Sequence, residues 1–444
     1  MPLILLLLLA VGLISPVAAD PGDTTVVITF AQELHNFGAG ERDNIETFTF
    51  PDWQVQYSEV YMVYRLDCPG PPGGDCDPWD RTARLWVQRP LTDSTHEELE
   101  IARVVTPYDI TGSGRPGHCD WRFDMLEYQS ILRGEVTLHS MVDTWVGGNQ
   151  GWLVTCTFYF IENPLPLTPI AVEKLWDIGY LVYGDPSNPV DDHLDMSFVP
   201  VPPQAEFATV RIWTTGHGQG NTHNAAEFSQ KNHGVWIGLD HYEHLLWRND
   251  CATNPCSPQG GTWQFNRAGW CPGDRVYPWD VPFIEVTPGQ TIDVWPTVEN
   301  FENLCRPSNP ECVPGQTCAD CNYNSNGHTE PYYVTSGQVI FWTTQTVDAP
   351  PARPELPDAA VLHQNYPNPF NPETTISFSV AQKGVARVRV FDVQGREVAE
   401  LLNREIERGQ HKLRFDGSKL ASGVYFTQLE TAGQLFTNKM LLLK

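Results

Sequence analysis

The stretch Cys68-Pro-Gly-Pro-Pro-Gly-Gly-Asp-Cys76-Asp77-Pro-Trp79-Asp80-Arg81 places a Gly/Pro loop between two cysteines and opens it into two carboxylates, an indole and a guanidinium. On either side apolar and polar residues alternate. Val60, Met62, Tyr64 and Leu66 precede the loop and Ala83, Leu85 and Val87 come after it. Period two reads as strands. A disulfide across so short a loop would freeze the turn where the hairpin reverses, presenting Asp77 and Asp80 from a rigid frame. Carboxylates held rigidly suggest chemistry, so this is read as an active-site loop.

Around this loop, 444 residues are enough for two or three domains, each with its own core. The apolar run Leu3 to Ile14, with Val17-Ala18-Ala19 behind it, predicts a secretory signal peptide over residues 1–19, although no Lys or Arg precedes it. No other stretch is apolar for long enough to span a bilayer. The net charge of −26 is uneven: the first 357 positions carry 17 basic and 45 acidic side chains. Such a surface repels phosphate backbones and argues against a nucleic-acid partner. All 11 cysteines lie between Cys68 and Cys321, which in an exported chain points to disulfides. Cys305, Cys312, Cys318 and Cys321 have a loose zinc-knuckle look, but intervening Pro and Gly and an oxidising space favour disulfides, and no metal is expected.

Residues 20–165 read as strands at Val26–Phe30, Thr47–Phe50, Glu59–Leu66, Arg81–Gln88, Glu135–Trp145 and Trp152–Ile161. Asp124 to Leu132 could form one or two helical turns, with Asp124 as cap and Gly134 as stop. After a proline-rich break near Pro164, residues 166–346 resume with strands at Tyr180–Tyr183, Phe207–Thr215, Val235–Leu239, Thr291–Trp295 and Tyr332–Thr343. The prolines of residues 347–357 make a stiff linker. Residues 358–444 read as a small, cysteine-free, near-neutral β domain of immunoglobulin-like form.

Two motifs carry a family resemblance. Cys76-Asp77-Pro-Trp79-Asp80-Arg81 behind its short loop, and Asp250-Cys251 through Arg267, Trp270 and Cys271, are similar in kind and order to the peptide:N-glycosidase F family. The resemblance covers roughly residues 25–345. It implies two antiparallel eight-stranded jelly rolls side by side with the site between them, and disulfides Cys68–Cys76 and Cys251–Cys271. The C-terminal runs Asn365-Tyr-Pro-Asn-Pro-Phe-Asn-Pro372 and Gly423-Val-Tyr425 resemble the sorting domain of type IX secretion cargo. That implies contact with the secretion machinery and a secreted or surface-attached protein.

Releasing a glycan from asparagine breaks an amide C–N bond, which needs an activated water and a protonated nitrogen. Carboxylates suit both tasks. By resemblance Asp80 is the main acid/base, Glu227 orients water and Asp143 assists. This chain departs from the family at Ala225 and Ser229, where cysteines bracket the glutamate, and at Asp143, where the family has Glu. Trp79, Trp145 and Trp270 fall at cleft-lining positions, where an indole can stack on a sugar's C–H face. Arg81 and Arg267 are planar multi-donor groups suited to a carbonyl or hydroxyl. Alternatively, Asp77 and Asp80 merely cap the turn and Arg81 pairs with one of them. The expected function is a secreted, cofactor-free amidase acting on N-glycosylated protein or peptide. Two rivals stand: a non-catalytic glycan- or peptide-binding module, and a copper-dependent peptide monooxygenase, suggested by His217, His223, His233, His241 and His244 within 28 residues.

Overall fold

The computed structural model describes residues 22–345 and 360–444, apart from 53–54, 71–75, 92–94, 113, 307, 313–320, 322–329 and 407–408. The expected signal peptide, the tip of the Cys68–Cys76 loop, the 347–357 linker and Cys318 lie outside the described residues.

The first unit contains β1 (Thr24–His35), β2 (Asp43–Phe50), β3 (Tyr57–Asp67), β4 (Thr82–Pro90), β5 (His96–Val105), β6 (His118–Asp124), β7 (Gly134–Val142) and β8 (Trp152–Glu162). They form two facing antiparallel sheets, β1-β8-β3-β6 and β5-β4-β7-β2. On β8 every second residue is buried: Trp152, Val154, Cys156, Phe158 and Phe160 point inward while their neighbours are part-exposed. Each large apolar side chain buried this way contributes about 1.5–3 kcal/mol. Asp124 does cap a turn, its Oδ1 accepting the Leu126 N–H at 3.0 Å, but the helix it opens is a single 3-10 turn, Leu126–Tyr128. Gly134, at φ +63°, then starts β7.

The opening motif is not a hairpin turn. β3 pairs with β8 and β6 while β4 pairs with β5 and β7, so the 68–81 segment crosses from one sheet to the other. Period two identifies strands without saying which ones pair.

The second unit holds β9 (Thr168–Val182), β10 (Ser197–Pro200), β11 (Phe207–His217), β12 (Lys231–Ile237), β13 (Asp240–Leu246), β14 (Asp274–Arg275), β15 (Trp279–Asp280), β16 (Ile284–Glu285), β17 (Thr291–Val298) and β18 (Tyr332–Thr343). Its sheets run β15-β11-β18-β9, with β16 also on β11, and β10-β17-β12-β13. The short β14 leaves this unit and extends the first, pairing Asp274 with Val105 and Arg275 with Val104 on β5. Among the described residues, seven further strands between Val361 and Leu442 form a third sandwich with a separate core.

A buried ionic network joins the first two units. Arg103 donates to Glu100 on β5 and, across the boundary, to Thr215 Oγ1 at 3.2 Å and the Val334 carbonyl at 2.8 Å. Glu100 also accepts from Arg84 and from Ser336 Oγ at 2.6 Å. Burial pushes the Glu100 carboxyl up, yet Arg103 and Arg84 together bring it down to about 2. The disulfide Cys119–Cys256 also spans the units. Cys68–Cys76, Cys251–Cys271 and Cys305–Cys321 are bonded as well, and Cys156 is a free thiol buried in the first core. The would-be zinc knuckle thus has Cys305 and Cys321 joined to each other.

Candidate functional site

Asp77 belongs to the frame. It is fully buried, and its carboxylate accepts the Trp79 N–H at 3.0 Å, the Thr144 hydroxyl at 2.7 Å and Arg81 Nε at 2.9 Å. These bonds fix the 77–81 turn, so Arg81 pairs with Asp77. Asp80 faces the second unit instead. Burial pushes its carboxyl above the usual range, against a hydrogen bond from Tyr108 and the charges of Arg267 and Arg81.

Tyr108 carries no motif of its own. It lies just beyond β5, its backbone N–H donates to Gln259 Oε1 at 3.0 Å, and its ring packs against Gly261, where any side chain would strike it. Its hydroxyl bonds to Asp80 and reaches Thr262 of the second unit. No local sequence signal marks it, because only the docking of two units gives it a role.

From the second unit comes Glu227, on the loop between β11 and β12. The backbone there is tightly turned: His223, Asn224 and Ala226 have φ of 57°, 48° and 67°, in the left-handed region. Gly216 makes the turn fit, since a Cβ at that position would lie 1.8 Å from the Ala226 carbonyl oxygen. Glu227 Oε2 accepts the Gly218 N–H at 3.1 Å and Oε1 accepts Arg267 Nε at 3.2 Å. Burial pushes its carboxyl up to about 7; Arg267 opposes this and the charge of Asp80 adds to it. Asp80 and Glu227, about 150 residues apart in sequence, therefore share one electrostatic site.

With no cysteines at Ala225 and Ser229, the loop is held from elsewhere. Ala225 and Ala226 are fully buried. Thr222 Oγ1 lies 3.2 Å from the Cys305 N–H and 3.3 Å from its Sγ, and the Thr222 N–H reaches Asn303 Oδ1. The Cys305–Cys321 bond pins that support.

Arg267 and Trp270 depart from the expected substrate-contacting roles. The Arg267 side chain is 0% exposed. It donates to Glu227, to the carbonyls of Phe265 and Thr262 and to Thr262 Oγ1, so its donors are engaged within the protein. Trp270 is 2% exposed and its indole N–H donates to the Gly216 carbonyl at 2.7 Å. It lies beneath the site, under the ring of His217. Trp79 and Trp145, by contrast, are 55% and 54% exposed. Trp145 stands between Phe37 and Arg42, whose guanidinium lies 4.2 Å from its ring centre. Asp143 is half exposed, with Oδ1 3.1 Å from Arg42 Nη1. Burial, then the charges of Tyr180, Asp143, Glu227 and Asp80, push the Tyr332 hydroxyl up to about 12.

The five clustered histidines do not converge. His217 lies under the site, stacked between Trp270 and Tyr332. His241 stacks on Trp236, whereas His233 and His244 sit opposite one another across β12 and β13. Among the described residues, no histidine belongs to a group of three potential ligands near one another. Imidazoles suit copper, but this arrangement does not gather them as the copper alternative requires. No helix among the described residues is long and apolar enough to cross a membrane.

Residues 188–311 match the family model described as Peptide-N-glycosidase F, C terminal, and residues 364–443 match the Secretion system C-terminal sorting domain. The chain is 28% identical over 269 residues to the peptide-N(4)-(N-acetyl-beta-D-glucosaminyl)asparagine amidase F of Elizabethkingia miricola, covering 58% of this chain and 72% of the relative. Its fold matches PNGase F, a glycosylasparaginase from Flavobacterium meningosepticum, with TM-score 0.58 and 23% identity over 74% of this chain and 98% of that one. It also matches PNGF-II, with TM-score 0.54 and 13% identity over 73% and 66%. The sorting domain marks the protein as secreted or held at the cell surface. The chain is thus similar to peptide-N-glycosidase F, an amidase, in sequence and in all-β fold, and its C-terminal part matches a secretion sorting domain.

Proposed function

We propose that this protein is a secreted amidase that removes N-linked glycans from glycoproteins or glycopeptides. The observation that carries the reading is the meeting of Asp80 and Glu227, from separate sandwiches, in one partly desolvated site. Glu227, steered by Arg267 and the Gly218 N–H, holds the attacking water. Asp80, steadied by Tyr108, takes the water's proton as oxygen adds to the amide carbonyl carbon, then passes it to the nitrogen as the C–N bond breaks. Asparagine becomes aspartate and the sugar departs as a glycosylamine. Arg81, tethered through Nε, keeps its other donors for the carbonyl. The half-exposed rings of Trp79 and Trp145 are open to contact with the sugar. The sorting domain engages the type IX secretion machinery.

A second reading, a binding module without turnover, draws on Asp143, which is a methylene shorter than its family counterpart and is ion-paired with Arg42. The mature protein, incubated with an N-glycosylated peptide, distinguishes the two by mass spectrometry. Asn-to-Asp conversion that survives chelation and disappears in Asp80→Asn supports the amidase. Binding without conversion supports the module.

A further inference from the structure

Four aromatic rings form a continuous stack rising from under the site to its surface. Trp270, 2% exposed, faces His217 with ring centres 5.3 Å apart; His217 faces Tyr332 at 5.1 Å, and Tyr332 faces Tyr180 at 4.2 Å. The base of the stack is fixed by the Trp270 bond to Gly216 and by His217 Nε2, 2.9 Å from Thr215 Oγ1. Burial and the nearby Arg103 and Arg267 hold His217 down at about 3, so the ring at the centre of the stack is neutral. The outermost ring, Tyr180, is 54% exposed, and its hydroxyl lies 3.4 Å from Glu330 Oε2. It stands on β9 of the second unit, whereas the exposed rings of Trp79 and Trp145 belong to the first.

We propose that Tyr180, backed by Tyr332, is a sugar platform that determines specificity for the glycan beyond its first residue. This inference rests on the amidase reading for the position of the first sugar. Tyr332 stacks on His217, whose neighbour Gly218 donates its N–H to Glu227, so it lies beside the acid pair, and Tyr180 is one ring further out. A rigidly backed, half-exposed ring with a carboxylate at its edge suits a pyranose. The sugar's C–H face covers the ring, while its hydroxyls donate to Glu330. Because the rings below are already packed, little conformational freedom is lost on binding.

The test compares wild type, Tyr180→Ala and Tyr180→Phe on two substrates: one peptide bearing a multi-sugar N-glycan core, and the same peptide bearing a single N-acetylglucosamine. Tyr180→Ala is expected to raise KM for the longer glycan by about 2- to 10-fold, several times more than for the single sugar, with kcat changed less than KM. Tyr180→Phe, which keeps the ring, is expected to recover the wild-type KM. Equal KM changes on both substrates would place the peptide, not the glycan, on Tyr180 and overturn the proposal. So would no change on either. Calorimetric binding of the free oligosaccharide gives an independent answer. If wild type turns over neither substrate, the amidase reading fails, yet weaker oligosaccharide binding by Tyr180→Ala still supports the platform and unchanged binding refutes it.

Discussion

Glu227 is where solution pH should act on this site. Its carboxyl titrates near 7 because it is buried beside Asp80. If its charged form holds the water, conversion should rise between pH 6 and 8, and Glu227→Gln should lower the rate and flatten that limb of the pH–rate profile. Stability runs the other way. An acid whose folded value lies above its unfolded 4.5 favours folding below about pH 4.5, and that contribution is lost as pH rises through about 7. Thermal melts should therefore show Glu227→Gln gaining stability relative to wild type at pH 8 and not at pH 4. Asp80→Asn should cost about 10²–10⁴ in rate with the melting temperature nearly unchanged. Asp80, Glu227 and the exposed indoles, which the proposed reaction uses, can be picked out from the sequence because motifs carry them. Tyr108 is not, since its partners Asp80 and Thr262 come together only in the fold. Arg267 and Trp270 stand out in their motif, but burial gives them positioning roles that spacing alone does not reveal.

Among the elements, the loop joining β11 to β12 depends on Gly216. Adding a methyl group there meets the Ala226 carbonyl, so Gly216→Ala must displace the loop that carries Glu227. A shift of about 1 Å at a catalytic group can cost about a hundredfold in rate, and a comparable loss of kcat is expected, measured beside circular dichroism to show that the sheets persist. Strands such as β8 are legible because alternate residues are buried. β5 escapes a reading of the sequence for a physical reason: from Leu99 to Val105 every residue is buried, including Glu100 and Arg103, which neutralise one another. Charged letters there read as surface when they are interior. β6 escapes it too: it is only seven residues long and holds Asp120, Arg122 and Asp124 on its exposed face. The turn of the opening motif is legible, but its strand partners are not, because pairing is decided by contacts far away in the chain.

For the whole molecule, the proposed function depends on two sandwiches docked in one orientation. Removing one partner of a buried ion network leaves uncompensated charge, so Glu100→Gln should destabilise the protein by about 3–5 kcal/mol in denaturant unfolding and lower activity, although Glu100 is no part of the reacting site. Because Arg103 and Arg84 hold Glu100 down at about 2, its contribution is complete above about pH 4.5 and fades as pH falls toward 2. The third sandwich has a core of its own, so a chain ending before residue 358 should convert glycopeptide at the wild-type rate while losing its route of export.

If carboxylates from two separate sandwiches work as a single hydrolytic site, removing either should abolish most of what the pair does together. The decisive measurement is the rate of Asn-to-Asp conversion in an N-glycosylated peptide for wild type, Asp80→Asn, Glu227→Gln and the double variant. The double variant should be scarcely slower than Asp80→Asn alone. Fully multiplicative losses, or conversion by Asp80→Asn at the wild-type rate, would contradict a shared site.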